Sequence, residues 1–307
     1  MEILAYAGSV VNQVVIMLLL IITGYILCRT GLVKETGVDQ IVNILFYAVT
    51  PVVIIDSFCQ VTFTLDMAKS LGIMALCAFG AHAAGLLLGW IWFRKWGGDA
   101  RSVLRTSTAF SNCGFMSLPL ADGLLGAEGV FLVSVYVAVH NLLIWTVGLR
   151  LFTGGKMSVK KAVLNPGVIG LLIGLFIFFL GIPLPGALTG ALTHVSNLNT
   201  PLAMVVIGSY LAAASLRPEK GDGKMWTAIG LRLAAIPLIC LGAFKLCGLT
   251  GDMLLCCMIP VSAPVAANVV MFAAKFGGDA RLASRIVPLS TVVSILTIPL
   301  LLTLSHL

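Results

Sequence analysis

The chain has 307 residues, 59% of them hydrophobic and 10% charged, with a mean hydropathy of +1.08. Soluble domains carry roughly a quarter charged residues, so this composition excludes a soluble globular protein and indicates a polytopic membrane protein. The net charge of +7 makes no case for nucleic acid as a partner, because in a membrane protein the placement of basic residues carries the information.

A span needs about 20 apolar residues, and that ruler gives an all-α membrane protein with ten candidate transmembrane helices. The first, 9–28, has no basic flank or cleavage motif before it and is expected to be a retained helix. The second, 38–58, contains Thr50-Pro51, and the third covers 67–93. The fourth, 102–124, is unusual: it carries Ser107, Thr108, Ser111, Asn112, Gly114, Ser117 and Pro119 between apolar flanks. An uninterrupted membrane helix has no use for so many helix-weakening positions. Either a proline kink or a true break at Pro119 accounts for them. The fifth span is 127–152.

A basic connector, 156–164, then separates a first part, 1–155, from a second, 165–307. The sixth span, 166–181, is short. The seventh, 188–215, contains Thr200-Pro201, the eighth is 225–246, the ninth, 252–276, is interrupted by Pro260 and Pro264, and the tenth is 281–305. Pro51 and Pro201 are expected to kink their helices. The motif Gly97-Gly-Asp-Ala-Arg101 recurs as Gly277-Gly-Asp-Ala-Arg281, before spans four and ten, and reads as two Gly-Gly turns.

With the N-terminus outside, alternate connectors collect every basic residue except Lys69 and Lys245, Arg232 being counted with the connector before span eight. The positive-inside rule makes that side cytoplasmic and leaves both termini outside. Five spans per part means that the two parts have opposite orientation, an inverted repeat. Pro51 and Pro201 then occupy matching positions, as do the broken fourth and ninth helices. Such a pair of broken helices is a pointer to a transporter's binding site.

The remaining chemistry is sparse. The eight cysteines show no metal or disulfide spacing, and no cofactor motif or nucleophile motif is present, so no metal, no cofactor and no enzyme is expected. His140, near the middle of span five, is either a proton-coupling group or a neutral packing residue. His82 sits among small residues. The glycine series Gly80/Gly85/Gly89 and Gly167/Gly170/Gly174 reads as close helix packing. The acids Asp56, Asp66, Asp122, Glu128 and Asp252 fall near the outer ends and none at midplane, which gives little support to a sodium site built on a buried acid.

The run Asn112-Cys-Gly-Phe-Met-Ser-Leu-Pro-Leu120, together with Pro264-Val-Ala-Ala-Asn-Val-Val-Met-Phe-Ala-Ala-Lys-Phe-Gly277, resembles the auxin efflux carrier family, within the bile-acid/sodium-symporter-like superfamily. The likeness extends over essentially the whole chain. It departs at Ser111, where plant members often have proline, and in lacking their long central loop. The resemblance implies a scaffold of helices 1, 2, 6 and 7, a mobile transport domain of helices 3–5 and 8–10, and helices 4 and 9 crossing at midplane. It implies a secondary transporter in a bacterial cytoplasmic membrane, moving small organic anions such as malate- or malonate-like carboxylates by alternating access. The substrate-binding set is expected to be Asn112, Cys113, Gly114, Ala266 and Asn268, with Asn112 either contacting the anion or capping a half-helix. Pro119, Pro260 and Pro264 are expected to make the breaks. Implied partners are the lipid bilayer, a coupling ion (a proton before sodium) and a second copy through the scaffold helices. A sodium-coupled symporter and a membrane sensor on the same fold are the rival readings.

Overall fold

The computed structural model describes residues 2–155, 159–214 and 222–306, and among them there is no strand. Lys156, Met157 and Ser158 of the basic connector, and the later basic residues Arg217 and Lys220, lie outside the described residues. The helices in order are α1 (Glu2–Arg29), α2 (Glu35–Ile44), α3 (Thr50–Gln60), α4 (Leu65–Phe93), α5 (Asp99–Ala109), α6 (Leu118–Leu143), α7 (Leu149–Thr153) and α8 (Val159–Val163). The second set is α9 (Pro166–Leu180), α10 (Gly186–Ser196), α11 (Asn199–Ala213), α12 (Gly223–Gly230), α13 (Ile236–Leu246), α14 (Gly251–Ser262), α15 (Asn268–Phe276) and α16 (Ala280–His306).

Several neighbours run on without leaving the helical path, joined by short π-helical turns at Leu45–Val49, Ile144–Gly148 and Leu231–Ala235, and a fourth such turn, Cys113–Ser117, opens α6 after a non-helical stretch. Three of these four turns end just before a proline in the first turn of the next helix: Pro51, Pro119 and Pro237. Proline has no N–H and crowds the carbonyl four residues back, and a local widening relieves both faults while the helix continues. Pro201 lies in the first turn of α11, just after the turn residues Asn197 and Leu198 that join α10 to it.

Six helical stretches are long and apolar enough to cross a membrane: Ala7–Arg29, Glu35–Gln60, Leu65–Phe93, Cys113–Thr153, Gly223–Leu246 and Ala280–His306. Pro166–Leu180 and Gly251–Ser262 are apolar but shorter. The 41-residue stretch Cys113–Thr153 would be about 60 Å long if straight, twice the hydrocarbon thickness. It is not straight: Gly126, at φ 59° and ψ −147°, turns the chain inside α6. A side chain is disfavoured at that φ, which is why glycine stands there.

Large apolar side chains cover the outside. On α1 Val11, Val15, Leu19, Ile22 and Ile26 are exposed along one stripe; on α9 Leu172, Phe176, Phe179 and Leu180; on α16 Leu296 and Leu300. Helical spacing puts each set on one face, the face that lipid covers in a multi-pass membrane protein. Inside, Phe58, Phe131 and Phe178 stack between α3, α6 and α9 with ring centroids 4.4 to 6.1 Å apart.

Helix association relies on glycine. A Cβ on Gly24 would run into the backbone of Val205, and one on Gly208 into that of Ile21 and Tyr25, so α1 and α11 touch main chain to main chain. Gly85 meets Ala109 and Gly89 meets Arg105 where α4 packs on α5; Gly170 meets Pro51 and Gly174 meets Phe58 where α9 packs on α3. Gly80 faces open space. The two Gly-Gly-Asp-Ala-Arg turns lie against each other, with the Asp279 N–H donating to the Asp99 carbonyl at 3.4 Å.

Candidate functional site at the helix crossover

Between α5 and the π turn at Cys113 the chain is extended through Phe110 (φ −113°, ψ 122°) to Asn112. Between α14 and α15 it is extended from Ala263 (φ −66°, ψ 150°). The position of the second interruption follows from Pro264, which drives the residue before it out of the helical region. The two extended segments cross and pair: Ser111 and Val265 form an isolated antiparallel bridge. The Asn112 N–H donates to the Pro264 carbonyl at 2.7 Å and the Ala266 N–H to the Phe110 carbonyl at 3.0 Å, while the Val265 N–H donates to Ser290 Oγ at 3.1 Å. Each break satisfies the other's backbone, which is what permits non-helical chain inside a membrane protein.

Two expected break-makers act elsewhere. Pro119 sits in the first turn of α6, beyond the π turn and clear of the interruption at Phe110–Asn112. Pro260 lies within α14. The interruption in the first of the two helices therefore falls where its segment pairs with the one after Pro264.

A cavity of about 50 Å³ opens beside the crossover. Asn112, Gly114, His140, Ala266 and Asn268 line it, together with Thr50, Ser111, Asn141 and Asn165. Cys113 is fully buried and is not among the lining residues. Three helix starts converge here: the π turn at Cys113, α15 at Asn268, and α9, whose N-cap Asn165 accepts a hydrogen bond from the Gly167 N–H at 2.9 Å. The first N–H groups of a helix have no carbonyl one turn back, and they carry the positive end of its dipole. With four asparagines and two hydroxyls around them, and no carboxylate in the lining, the arrangement suits an anion. At its present size the cavity holds a water or two. An organic anion needs the helices to move apart.

The opposite ends of the broken helices meet a cation. Arg232, in the π turn between α12 and α13, is 1% exposed, and its guanidinium donates to the carbonyls of Thr108 (3.4 Å) and Val261, near the C-terminal ends of α5 and α14. Helix C-termini present unpaired carbonyls and negative potential, and the five-donor fork of arginine can serve two at once. This corrects the charge count above: Arg232 is not a connector residue but a buried structural cation. The signal was its place, well inside the apolar run 225–246, and not at its edge.

His140 has a partner that the sequence placed only among small residues. His82 Nδ1 lies 2.7 Å from the Ala78 carbonyl, and its Nε2 lies 3.2 Å from His140 Nδ1. A carbonyl accepts only, so His82 carries its proton on Nδ1 and accepts at Nε2 from the Nδ1–H of His140. His140 Nε2 is then an unprotonated acceptor on a residue that lines the cavity. Asn165 and Thr50 were also missed as site residues; Asn165 is legible afterwards as a cap directly before Pro166.

A chain of apolar spans with two helices interrupted at one crossing point defines a membrane transport protein. The family model for "Membrane transport protein" matches residues 9–161 and 153–302, and the chain belongs to that family, the auxin efflux carrier family. It is 26% identical over 301 residues to an uncharacterized transporter of Methanothermobacter thermautotrophicus, covering 96% of this chain and 98% of the relative. It is likewise 26% identical over 303 residues to one of Methanocaldococcus jannaschii, covering 94% and 96%.

Proposed function

We propose that this chain is a secondary active transporter that moves small organic anions, malate- or malonate-like carboxylates, across the cytoplasmic membrane of a bacterium by alternating access. The observation that carries the reading is the cavity where three helix starts and four asparagines meet without an acid. Asn112 and Gly114 from one broken helix and Asn268 from the other hold the carboxylate, and Ala266, whose N–H is taken by the Phe110 carbonyl, lines the cavity beside them.

Ten spans are the topology that goes with this reading: α1; α2 with α3; α4; α5 with the start of α6; the rest of α6 with α7; α9; α10 with α11; α12 with α13; α14 with α15; and α16. The turn at Gly126 supports dividing Cys113–Thr153 into two crossings. At 11 and 12 residues, α5 and α14 are too short to span alone at about 1.5 Å per residue. Two inverted halves, 1–155 and 165–307, with both termini outside, complete the scheme. In it the scaffold is α1–α3 with α9–α11, joined through the glycine contacts of α1 with α11 and of α3 with α9. The transport domain is α4–α7 with α12–α16 and carries the crossover past it.

Proton coupling fits the His82–His140 pair, whose outer nitrogen lies on a cavity residue. Sodium at the crossover is disfavoured, since Arg232 already supplies the positive charge between the two helix C-termini. The test is counterflow: purified protein in proteoliposomes loaded with malate or malonate accumulates the labelled acid from outside, and does so equally when potassium replaces sodium. A folded protein that exchanges none of the small mono- or dicarboxylates removes the reading.

A further inference from the structure

A second cavity, of about 150 Å³, opens between the end of α3, the first part of α6 and the turn joining α10 to α11. Its polar lining includes Asp56, Ser57, Gln60, Asp122, Thr193 and Asn199, with no lysine, arginine or histidine. Asp56, in the last part of α3, is 4% exposed. Its Oδ1 lies 3.1 Å from the Thr193 hydroxyl, which also lies 3.0 Å from the Thr189 carbonyl. One hydroxyl has one proton, so among the described residues Asp56 has at best a shared side-chain donor. Asn199, 5% exposed, has its Oδ1 buried without a donor among the described residues. A buried carboxylate and a buried amide oxygen facing the same opening are costly unless something positive meets them.

We propose that this cavity is a binding site for a hard, oxygen-ligated cation. Two carboxylates supply the charge, and the Asn199 amide and the Thr193 and Ser57 hydroxyls supply neutral oxygens. That ligand chemistry is the preference of calcium or sodium; transition metals favour histidine and cysteine, which are absent from the lining. With only two acids and an open side, the affinity belongs in the range of about 0.1 to 1 mM typical of weak oxygen sites. The ligands come from α3, α10 and α11 on one side and from α6 on the other. On the reading under "Proposed function" these are scaffold and transport domain, so an occupied site latches the two together; that clause rests on that reading, and the site does not.

The experiment is thermal unfolding of the purified chain in detergent at constant ionic strength set with choline chloride. One arm is titrated with calcium chloride and the other with sodium chloride. A saturable rise in midpoint in either arm supports the site and tells which cation it takes. Asp122→Asn, at an exposed residue, and Asn199→Leu each weaken the apparent affinity by about 10- to 100-fold. No saturable rise over choline in either arm overturns the proposal, as does a rise that both variants retain. The readout needs no transport: counterflow without a cation effect sinks this site alone, and a cation effect without counterflow sinks only the transport reading.

Discussion

The contact of α1 with α11 and the crossover of α5 with α14 both bring main chain against main chain, by opposite means. At Gly24 and Gly208 two unbroken helices touch through missing side chains. At the crossover two broken helices touch through hydrogen bonds between extended segments, with Arg232, Ser290 and helix dipoles completing the set. The first contact depends on shape alone and tolerates no added atom. The second depends on donors and acceptors, and it places Gly114 and Asn268, at two helix starts, on a cavity. On the proposed function, rigidity and transport are thus separated in space.

The largest effect is expected at the shape contact. Gly208→Leu drives its side chain into the α1 backbone, where no flexible neighbour can yield, and overpacking there costs more than the usual 1–3 kcal/mol. Loss of monodisperse protein on size exclusion is the expected result; a well-behaved variant would show that α1 and α11 do not meet as described. Next comes Arg232→Met, which leaves the Thr108 and Val261 carbonyls without their donor at about 1–3 kcal/mol each. The unfolding midpoint should fall and uptake should vanish, with Arg232→Lys intermediate because it keeps the charge and loses the fork. An unchanged or raised midpoint would mean that the buried guanidinium costs more than it contributes.

A smaller and more selective effect is expected at the histidines. Protonating His140 as the pH falls puts a positive charge beside the cavity, so carboxylate uptake should rise toward acid pH. In His140→Asn the pH profile should flatten while the unfolding midpoint moves little. A profile of unchanged shape would leave the pair a packing element. The smallest change is expected at Gly80→Ala, where the added methyl meets nothing. Alanine is a better helix former by about 1 kcal/mol, so a slight gain in midpoint is expected, and a loss would contradict the open face.

Much of the helical order was legible because apolar runs of membrane length leave few alternatives. The break between the fourth and fifth candidate spans coincides with the Gly126 turn, and Gly85, Gly89, Gly170 and Gly174 are close contacts as read, whereas Gly80 is not. The seam of Gly24 and Gly208 went unread, because single glycines in apolar helices carry no spacing to mark them. The interruption was placed too late at Pro119, since proline announces a local constraint and the true site depends on a partner segment far along the chain. Arg232 was read as a connector charge for the same reason: its acceptors lie on two other helices. Asn112, Ala266, Asn268 and His140 reach one cavity together, while Cys113 turns into the core.

The central claim, that the crossover cavity holds the carboxylate, is tested most directly by Asn112→Ala in proteoliposomes beside the wild type. Asn112 caps no N–H with its side chain, so the variant should fold with an unchanged midpoint. Its carboxylate uptake is expected to fall to the level of empty vesicles. Uptake equal to that of the wild type would contradict the account.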